Sequence, residues 1–170
     1  AAALDGTDRD VVLVGHSYAG LVVRQAADLR PDRVRRIVLV DGWAGRDGAG
    51  MFALAPGPFV AAVRAAARSN TDRRLIPAPP PAAFGITDPA GAEWLAARLR
   101  PQPILTFTGP AELTGAVDRI PGTAICCRPA TYPFSRFAAE LGYAVVFLDG
   151  PHDVMLTDPQ ALVRLLRGAA

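Results

Sequence analysis

Lysine is absent from the 170-residue chain: all 18 basic side chains are arginines, set against 16 acids for a formal net charge of +2. The charges alternate in sign and aromatics are not interleaved with arginines, so the footprint of a nucleic-acid-binding protein is missing. No stretch is long, apolar and proline-free enough to span a bilayer, and no signal peptide is in view. These absences predict a soluble protein away from the membrane, with the cytoplasm as its compartment. Cysteine is scarce too. Cys126 and Cys127 are adjacent in the apolar run Thr123-Ala124-Ile125-Cys126-Cys127. Neighbours on a strand point to opposite faces, so these two make a poor disulfide. No metal-ligand spacing accompanies them, and no metal or cofactor is called for. Histidine occurs only twice, at positions 16 and 152.

What is present is a composition 51% hydrophobic, enough to bury one domain core. The most informative segment is Val11-Val12-Leu13-Val14-Gly15-His16-Ser17-Tyr18-Ala19-Gly20. Four consecutive apolar residues, mostly β-branched, suit a parallel strand covered on both faces. Leu21, Val22, Ala26 and Leu29 then supply the apolar positions of a helix. A serine on such a strand-to-helix turn projects its hydroxyl out of the fold, and small residues at Gly15 and Ala19 let strand and helix approach. The segment reads as a nucleophile elbow, with Ala19 where the usual pattern has glycine.

Pro31-Asp32-Arg33 breaks the helix and Val34 to Val40 forms a second buried strand ending in Asp41-Gly42, so strand, helix and strand make a parallel crossover. Residues 43–103 are rich in Ala, Gly and Pro. They hold two predicted helices, Pro58 to Arg68 and Pro89 to Leu99, the second with Asp88 as N-cap and Pro89 at its first position. This helical, proline-broken insertion reads as a lid; a loose surface connection is the plainer alternative. Alternation resumes with a strand at Gly122 to Cys127, a helix from Pro133 to Leu141, a strand at Tyr143 to Leu148 and a closing helix after Asp158-Pro159. The expectation is one α/β domain over residues 1–170. Its core is 1–42 plus 104–170, and its mostly parallel sheet is flanked by helices.

A serine needs a base to act as a nucleophile, and histidine has the pKa for that task near neutrality. His16 adjoins Ser17, which directs the two side chains apart. His152, in Leu148-Asp149-Gly150-Pro151-His152-Asp153, follows the last predicted strand. Parallel strands put their carboxyl ends on one edge, where Ser17 and His152 can meet.

These stretches resemble the carboxyl-terminal portion of an α/β-hydrolase-fold protein. The elbow at 12–20, Trp94 to Pro103, Ile120 to Thr123 and Gly150 to Pro159 are similar to the esterase branch that includes plant salicylate-binding and methylesterase proteins and hydroxynitrile lyases. In much of that family the orienting acid lies a few residues beyond the position of Cys127. Here Arg128-Pro129-Ala130-Thr131-Tyr132-Pro133 carries none. The fold offers a second place, the end of the strand after the elbow helix, where Asp41 stands. Asp41 is therefore the expected acid, with a turn aspartate bonding its own backbone as the alternative. Asp153 reads as loop-shaping and Asp149 as a turn former; a Ser-His pair without a carboxylate stays open.

The resemblance implies a serine esterase that cleaves a small-molecule ester through Ser17, His152 and Asp41. The Tyr18 N–H would be one oxyanion donor, and the second donor in this fold lies before the stretch corresponding to Ala1. It also implies that Val11 to Val14 is interior, so the chain is expected to lack N-terminal strands supplied by a preceding segment or another polypeptide, a second copy in a homo-oligomer included. His16, Phe52, Leu54, Phe59 and Trp94 are the expected pocket residues, though ordinary packing explains them equally. Two other readings stand beside the esterase. One is a hydroxynitrile-lyase-type enzyme, disfavoured by the missing lysine; the other is a non-catalytic binding protein, favoured by the missing usual acid.

Overall fold

Runs of valine, isoleucine and leucine build the central layer, because β-branched side chains suit a pleated surface buried on both sides. The computed structural model describes residues 1–7 and 9–169. After a 3₁₀ turn at Ala2–Leu4 come β1 (Val11–His16), α1 (Ala19–Leu29) and β2 (Val34–Val40). A long connection then carries α2 (Met51–Leu54), α3 (Gly57–Ser69), β3 (Leu75–Ile76), a 3₁₀ turn at Pro81–Phe84, α4 (Pro89–Ala96), β4 (Gln102–Pro103), α5 (Leu105–Thr108) and a 3₁₀ turn at Ala116–Arg119. The chain closes with β5 (Gly122–Arg128), α6 (Phe134–Glu140), β6 (Ala144–Asp149), α7 (Val154–Thr157) and α8 (Pro159–Ala169). No helix among the described residues is long and apolar enough to cross a membrane.

The main sheet is parallel throughout in the order β1-β2-β5-β6. His16 registers with Val40, Val40 with Ile125, and Arg128 with Asp149, so every strand ends at the same edge. Alternation along the strands sorts the core into two layers. Ile37, Leu39, Ala124 and Cys126 face Leu21 and Ala27 of α1 and Phe137 and Ala138 of α6. Val38, Val40, Ile125 and Cys127 face Val154 and Leu162. The two thiols thus lie on opposite faces, both free; burial pushes Cys126 up to about 11 and Cys127 to about 12, the state of an unreactive thiol. β1 forms one border of the sheet, where Val14 is 48% exposed.

Helix α1 departs from the apolar face its sequence predicts. Val22 and Leu29 are about half exposed, and the buried stripe is Gly20, Leu21, Arg24, Ala27 and Asp28. Partners make this tolerable. Arg24 gives hydrogen bonds to the Tyr143 hydroxyl (2.6 Å) and to Asp118 (2.7 Å), while Asp28 accepts from the N–H groups of Thr114 (2.6 Å) and Val117 (3.0 Å). A buried charge needs hydrogen-bond partners; Arg24 Nε has none among the described residues, but the bonds that are made tie α1 to residues 114–118 and to Tyr143, just before β6.

The proline-marked helix starts form as the sequence predicts. Asp88 accepts from the Gly91 N–H (2.7 Å) and Asp158 from Ala161 (2.9 Å), with Pro89 and Pro159 at the first helical positions. Helix α4 stops at Ala96, short of Leu99: Arg98 already bonds back to Leu95 (2.9 Å), and Pro101 disfavours helix at Arg100. The antiparallel β3–β4 pair, two residues on each side, was too short to show any periodicity.

Strand and elbow helix approach as the small residues predict. A Cβ on Gly15 would fall 2.8 Å from the Ala19 carbonyl oxygen, and one on Gly20 would fall 2.4 Å from that of Trp43. In an exposed helix Gly→Ala stabilises by about 1 kcal/mol. Gly20→Ala should do the reverse, because the obstacle is backbone; an overpacking cost of about 1–3 kcal/mol would lower Tm by several degrees. A thermal melt showing an unchanged or raised Tm would mean that this contact is slack.

Candidate active site

Three loops leave the carboxyl edge of the sheet; the side chains of Asp41 and His152 are brought into contact there, while Ser17 Oγ makes no hydrogen bond to His152 among the described residues. Ser17 follows β1 with φ 51°, a left-handed conformation that costs a non-glycine residue roughly 1–2 kcal/mol. It is held there by main-chain bonds: its N–H donates to the Val40 carbonyl (3.1 Å), and its carbonyl accepts from Gly20 (3.0 Å) and Trp43 (3.0 Å). The turn is thereby fastened to β2, to its own helix and to the chain beyond Gly42. Among the described residues the Ser17 hydroxyl has no hydrogen-bond partner, and neither has the Tyr18 N–H.

Asp41, directly after β2, is 1% exposed and also left-handed, with φ 42°. Its N–H donates to Ile125 (2.9 Å). Its side chain does not turn back on its own loop. Oδ1 accepts from the Cys127 N–H (2.7 Å), and Oδ2 lies 3.0 Å from His152 Nδ1. One carboxylate therefore joins the ends of β2 and β5 to the loop after β6. The segment 128–133, where the resemblance puts the usual acid, contributes Tyr132, whose ring lies 5.0 Å from that of Trp43.

His152 is 7% exposed and has two aromatic rings nearly parallel to it, Phe134 at 5.6 Å and Phe84 at 6.2 Å. Phe84 comes from the connection between β2 and β5, and its carbonyl accepts the Asp153 N–H (3.2 Å). Behind this group His16 Nε2 lies 3.1 Å from the His152 carbonyl and 3.5 Å from Asp153 Oδ1. Burial, then the nearby His152, lowers the His16 pKa to about 4, so its ring is neutral near pH 7 and the approach to Asp153 is no ion pair. Burial raises the Asp153 pKa in turn, and its Oδ1 has no hydrogen bond.

Ligand atoms of His16, His152 and Asp153 lie within 4.8 Å of one another, a set that could hold a metal ion. Two nitrogens in this cluster already have partners, His152 Nδ1 with Asp41 and His16 Nε2 with a carbonyl. A cation would have to displace whichever of these bonds faced it.

The aromatic residues form a group around Trp43, which is 1% exposed. Phe59 (6.0 Å), Tyr132, Phe134 (5.4 Å) and Phe137 (5.7 Å) surround it, and Leu54 packs on the same cluster. Phe52 belongs to a neighbouring row: its ring meets Phe107 (5.9 Å), which meets Tyr18 (5.4 Å). Trp94 stands apart. It is 47% exposed on α4 and covered by the Arg98 guanidinium at 3.9 Å, beside a surface hollow lined only by residues of 90–98. A cavity of about 160 Å³ beside Tyr18, Leu21 and Leu105 has neither Ser17 nor His152 in its lining. Trp43, Phe84, Tyr132 and Phe134 were missed as neighbours of the site; Trp43, two residues beyond Asp41, was the one with a positional signal.

Over residues 1–165 the sequence matches the alpha/beta hydrolase family. The chain belongs to that family. A carbendazim hydrolyzing esterase of Nocardioides sp. (strain SG-4G) is 28% identical over 171 residues, covering 92% of this chain and 70% of that protein. An extracellular alpha/beta-hydrolase from a Paenibacillus species, described as sharing structural and functional homology with tobacco salicylic acid binding protein 2, superposes with a TM-score of 0.83. It is 21% identical, over 96% of this chain and 73% of its own. Tomato methylketone synthase I gives a TM-score of 0.74 at 17% identity, over 98% and 72%. At those identities the structural likenesses speak for the fold. The family and the esterase relative place the chain among hydrolase enzymes.

Proposed function

We propose that this alpha/beta hydrolase is a carboxylesterase that cleaves a small ester through Ser17, His152 and Asp41. The observation that carries the reading is the 3.0 Å contact between Asp41 and His152, residues 111 apart in sequence, at the sheet edge where Ser17 occupies its strained turn. His152 Nδ1–H donates to Asp41, which leaves Nε2 unprotonated to take the Ser17 proton. Ser17 Oγ then bonds to the ester carbonyl carbon, and the oxyanion that forms is met by the Tyr18 N–H. A donor so placed is worth about 3 kcal/mol. Collapse breaks the bond to the alcohol, which leaves with the proton held by His152. A water, deprotonated by the same imidazole, releases the acid and restores Ser17.

In this reading residues 43–103 act as a lid, from which the half-buried Leu54 and Phe59 would meet an apolar acyl or alcohol part. The relative that hydrolyses carbendazim supports an ester-like carbonyl as the bond attacked. A fluorophosphonate probe tests the proposal, since Ser17 Oγ would displace fluoride from phosphorus and keep the phosphonyl group. Mass spectrometry should find one modified site, at Ser17, together with turnover of short aryl esters. An unlabelled serine in the folded protein would overturn the assignment.

A further inference from the structure

We infer that His16 is a positioning residue for the hydrolysis proposed above: its Nε2–H, given to the main-chain carbonyl of His152, fixes the loop that aims the His152 imidazole. The inference rests on that reading of the site. Its geometric basis is that His16 is the final residue of β1, registered with Val40, so its backbone is held between Ser17 on one side and the residue before Asp41 on the other. The side chain reaches from this fixed point to the only one of the three site loops that follows β6.

The Pro151–Asp153 segment has few restraints of its own. Gly150 donates to Arg128 (2.9 Å), Asp153 donates to Phe84 (3.2 Å), and the Asp153 carbonyl accepts from Leu156 (2.9 Å), none of which holds the His152 carbonyl. Among the described residues the His152 carbonyl has one donor, His16 Nε2 at 3.1 Å. A buried carbonyl left without a donor costs about 1–3 kcal/mol, and the loop would shift to recover one. The imidazole would shift with it, because ring and carbonyl hang from the same Cα. Stacking on Phe84 and Phe134 fixes the plane of the ring, and Asp41 fixes one nitrogen; neither fixes the height of the main chain from which the ring extends.

A carbonyl can only accept, so the contact specifies the His16 tautomer: the proton is on Nε2 and Nδ1 carries the lone pair. Asp153 Oδ1 lies 3.5 Å from the same nitrogen but forms no hydrogen bond with it, so the tautomer is set by the carbonyl. The two imidazoles therefore have complementary tasks, with His152 moving a proton at Nε2 and His16 holding one at Nε2.

The test compares two variants. His16→Phe keeps a ring beside His152, whose centroid is 4.6 Å away, and removes the donor. His16→Gln carries an amide N–H at nearly the position of Nε2. Misplacing a catalytic group by an ångström costs on the order of 100-fold, so kcat should fall 10- to 100-fold in His16→Phe with KM within about threefold of wild type. His16→Gln should recover most of the loss. A change confined to KM would instead make His16 a pocket-lining residue and overturn the inference, as would a Phe variant with the wild-type kcat. Either result would leave the esterase reading intact, because that reading stands on fluorophosphonate labelling of Ser17 in the wild-type protein. Long-range ¹H–¹⁵N correlation spectra of the wild-type protein supply a readout that does not depend on a variant folding. His16 should show the Nε2–H tautomer, and the Nδ1–H form would sink the proposal.

Discussion

Ser17→Ala is expected to lower kcat for ester hydrolysis by about 10⁵- to 10⁶-fold while leaving KM and Tm nearly unchanged. The kinetic loss is total for the acyl-enzyme route, since no other atom at the end of β1 can form the bond to the carbonyl carbon. The unchanged stability follows from the structure. The hydroxyl has no hydrogen-bond partner among the described residues, so its deletion leaves nothing unpaired. The left-handed backbone at φ 51° strains alanine as much as serine, and the bonds to Val40 and from Gly20 and Trp43 involve only main-chain atoms. Ser17→Gly should lose the same activity but raise Tm slightly, because glycine adopts that conformation without the steric cost. Retention of more than about a thousandth of the wild-type kcat by Ser17→Ala, measured on an ester that the wild-type protein turns over, would rule out covalent catalysis at this serine.

The framework around Ser17 was legible for reasons that can be located. Val11 to Val14, Val34 to Val40 and Ala144 to Leu148 are short β-rich runs with helices between them, and a parallel sheet is the architecture that alternation forces. Once the strands are parallel, the residues following them share an edge, which is why Ser17, Asp41 and the His152 loop can be grouped before any coordinate is known. The chemistry of Asp41 was less accessible. Nothing in Leu39-Val40-Asp41-Gly42 separates a carboxylate that caps its own turn from one that reaches across two strands to Cys127 and His152; that choice came from the resemblance. Local pattern also failed on α1. The buried stripe contains Arg24 and Asp28, whose partners Asp118, Thr114, Val117 and Tyr143 lie about 85 to 120 residues on, so a hydrophobicity argument assigned Val22 and Leu29 inward instead. The connection between β2 and β5 was the least readable. Phe84 sits in a proline-rich stretch without periodicity, yet it stacks on His152, and no spacing rule could bring it there.

Asp41→Asn separates the two tasks of this carboxylate more sharply than any truncation. Asparagine tolerates φ 42° as aspartate does, and its amide oxygen can still accept the Cys127 N–H now bound at 2.7 Å. The fold should therefore persist, with Tm within a few degrees of wild type. The change falls on the other side of the group, where an NH₂ replaces the Oδ2 that lies 3.0 Å from His152 Nδ1. A donor there can be satisfied only if Nδ1 becomes an acceptor, which moves the imidazole proton to Nε2. An imidazole protonated at Nε2 cannot receive the Ser17 proton, so kcat should drop about 10⁴-fold with substrate binding preserved. Asp41→Ala would lose activity less informatively, because it also strands the buried Cys127 N–H at a cost of about 1–3 kcal/mol and weakens the turn. Full kcat in a folded Asp41→Asn protein would reduce Asp41 to a structural cap. The same result would move the search for the orienting acid to Asp153, whose buried carboxylate lies next in sequence to His152.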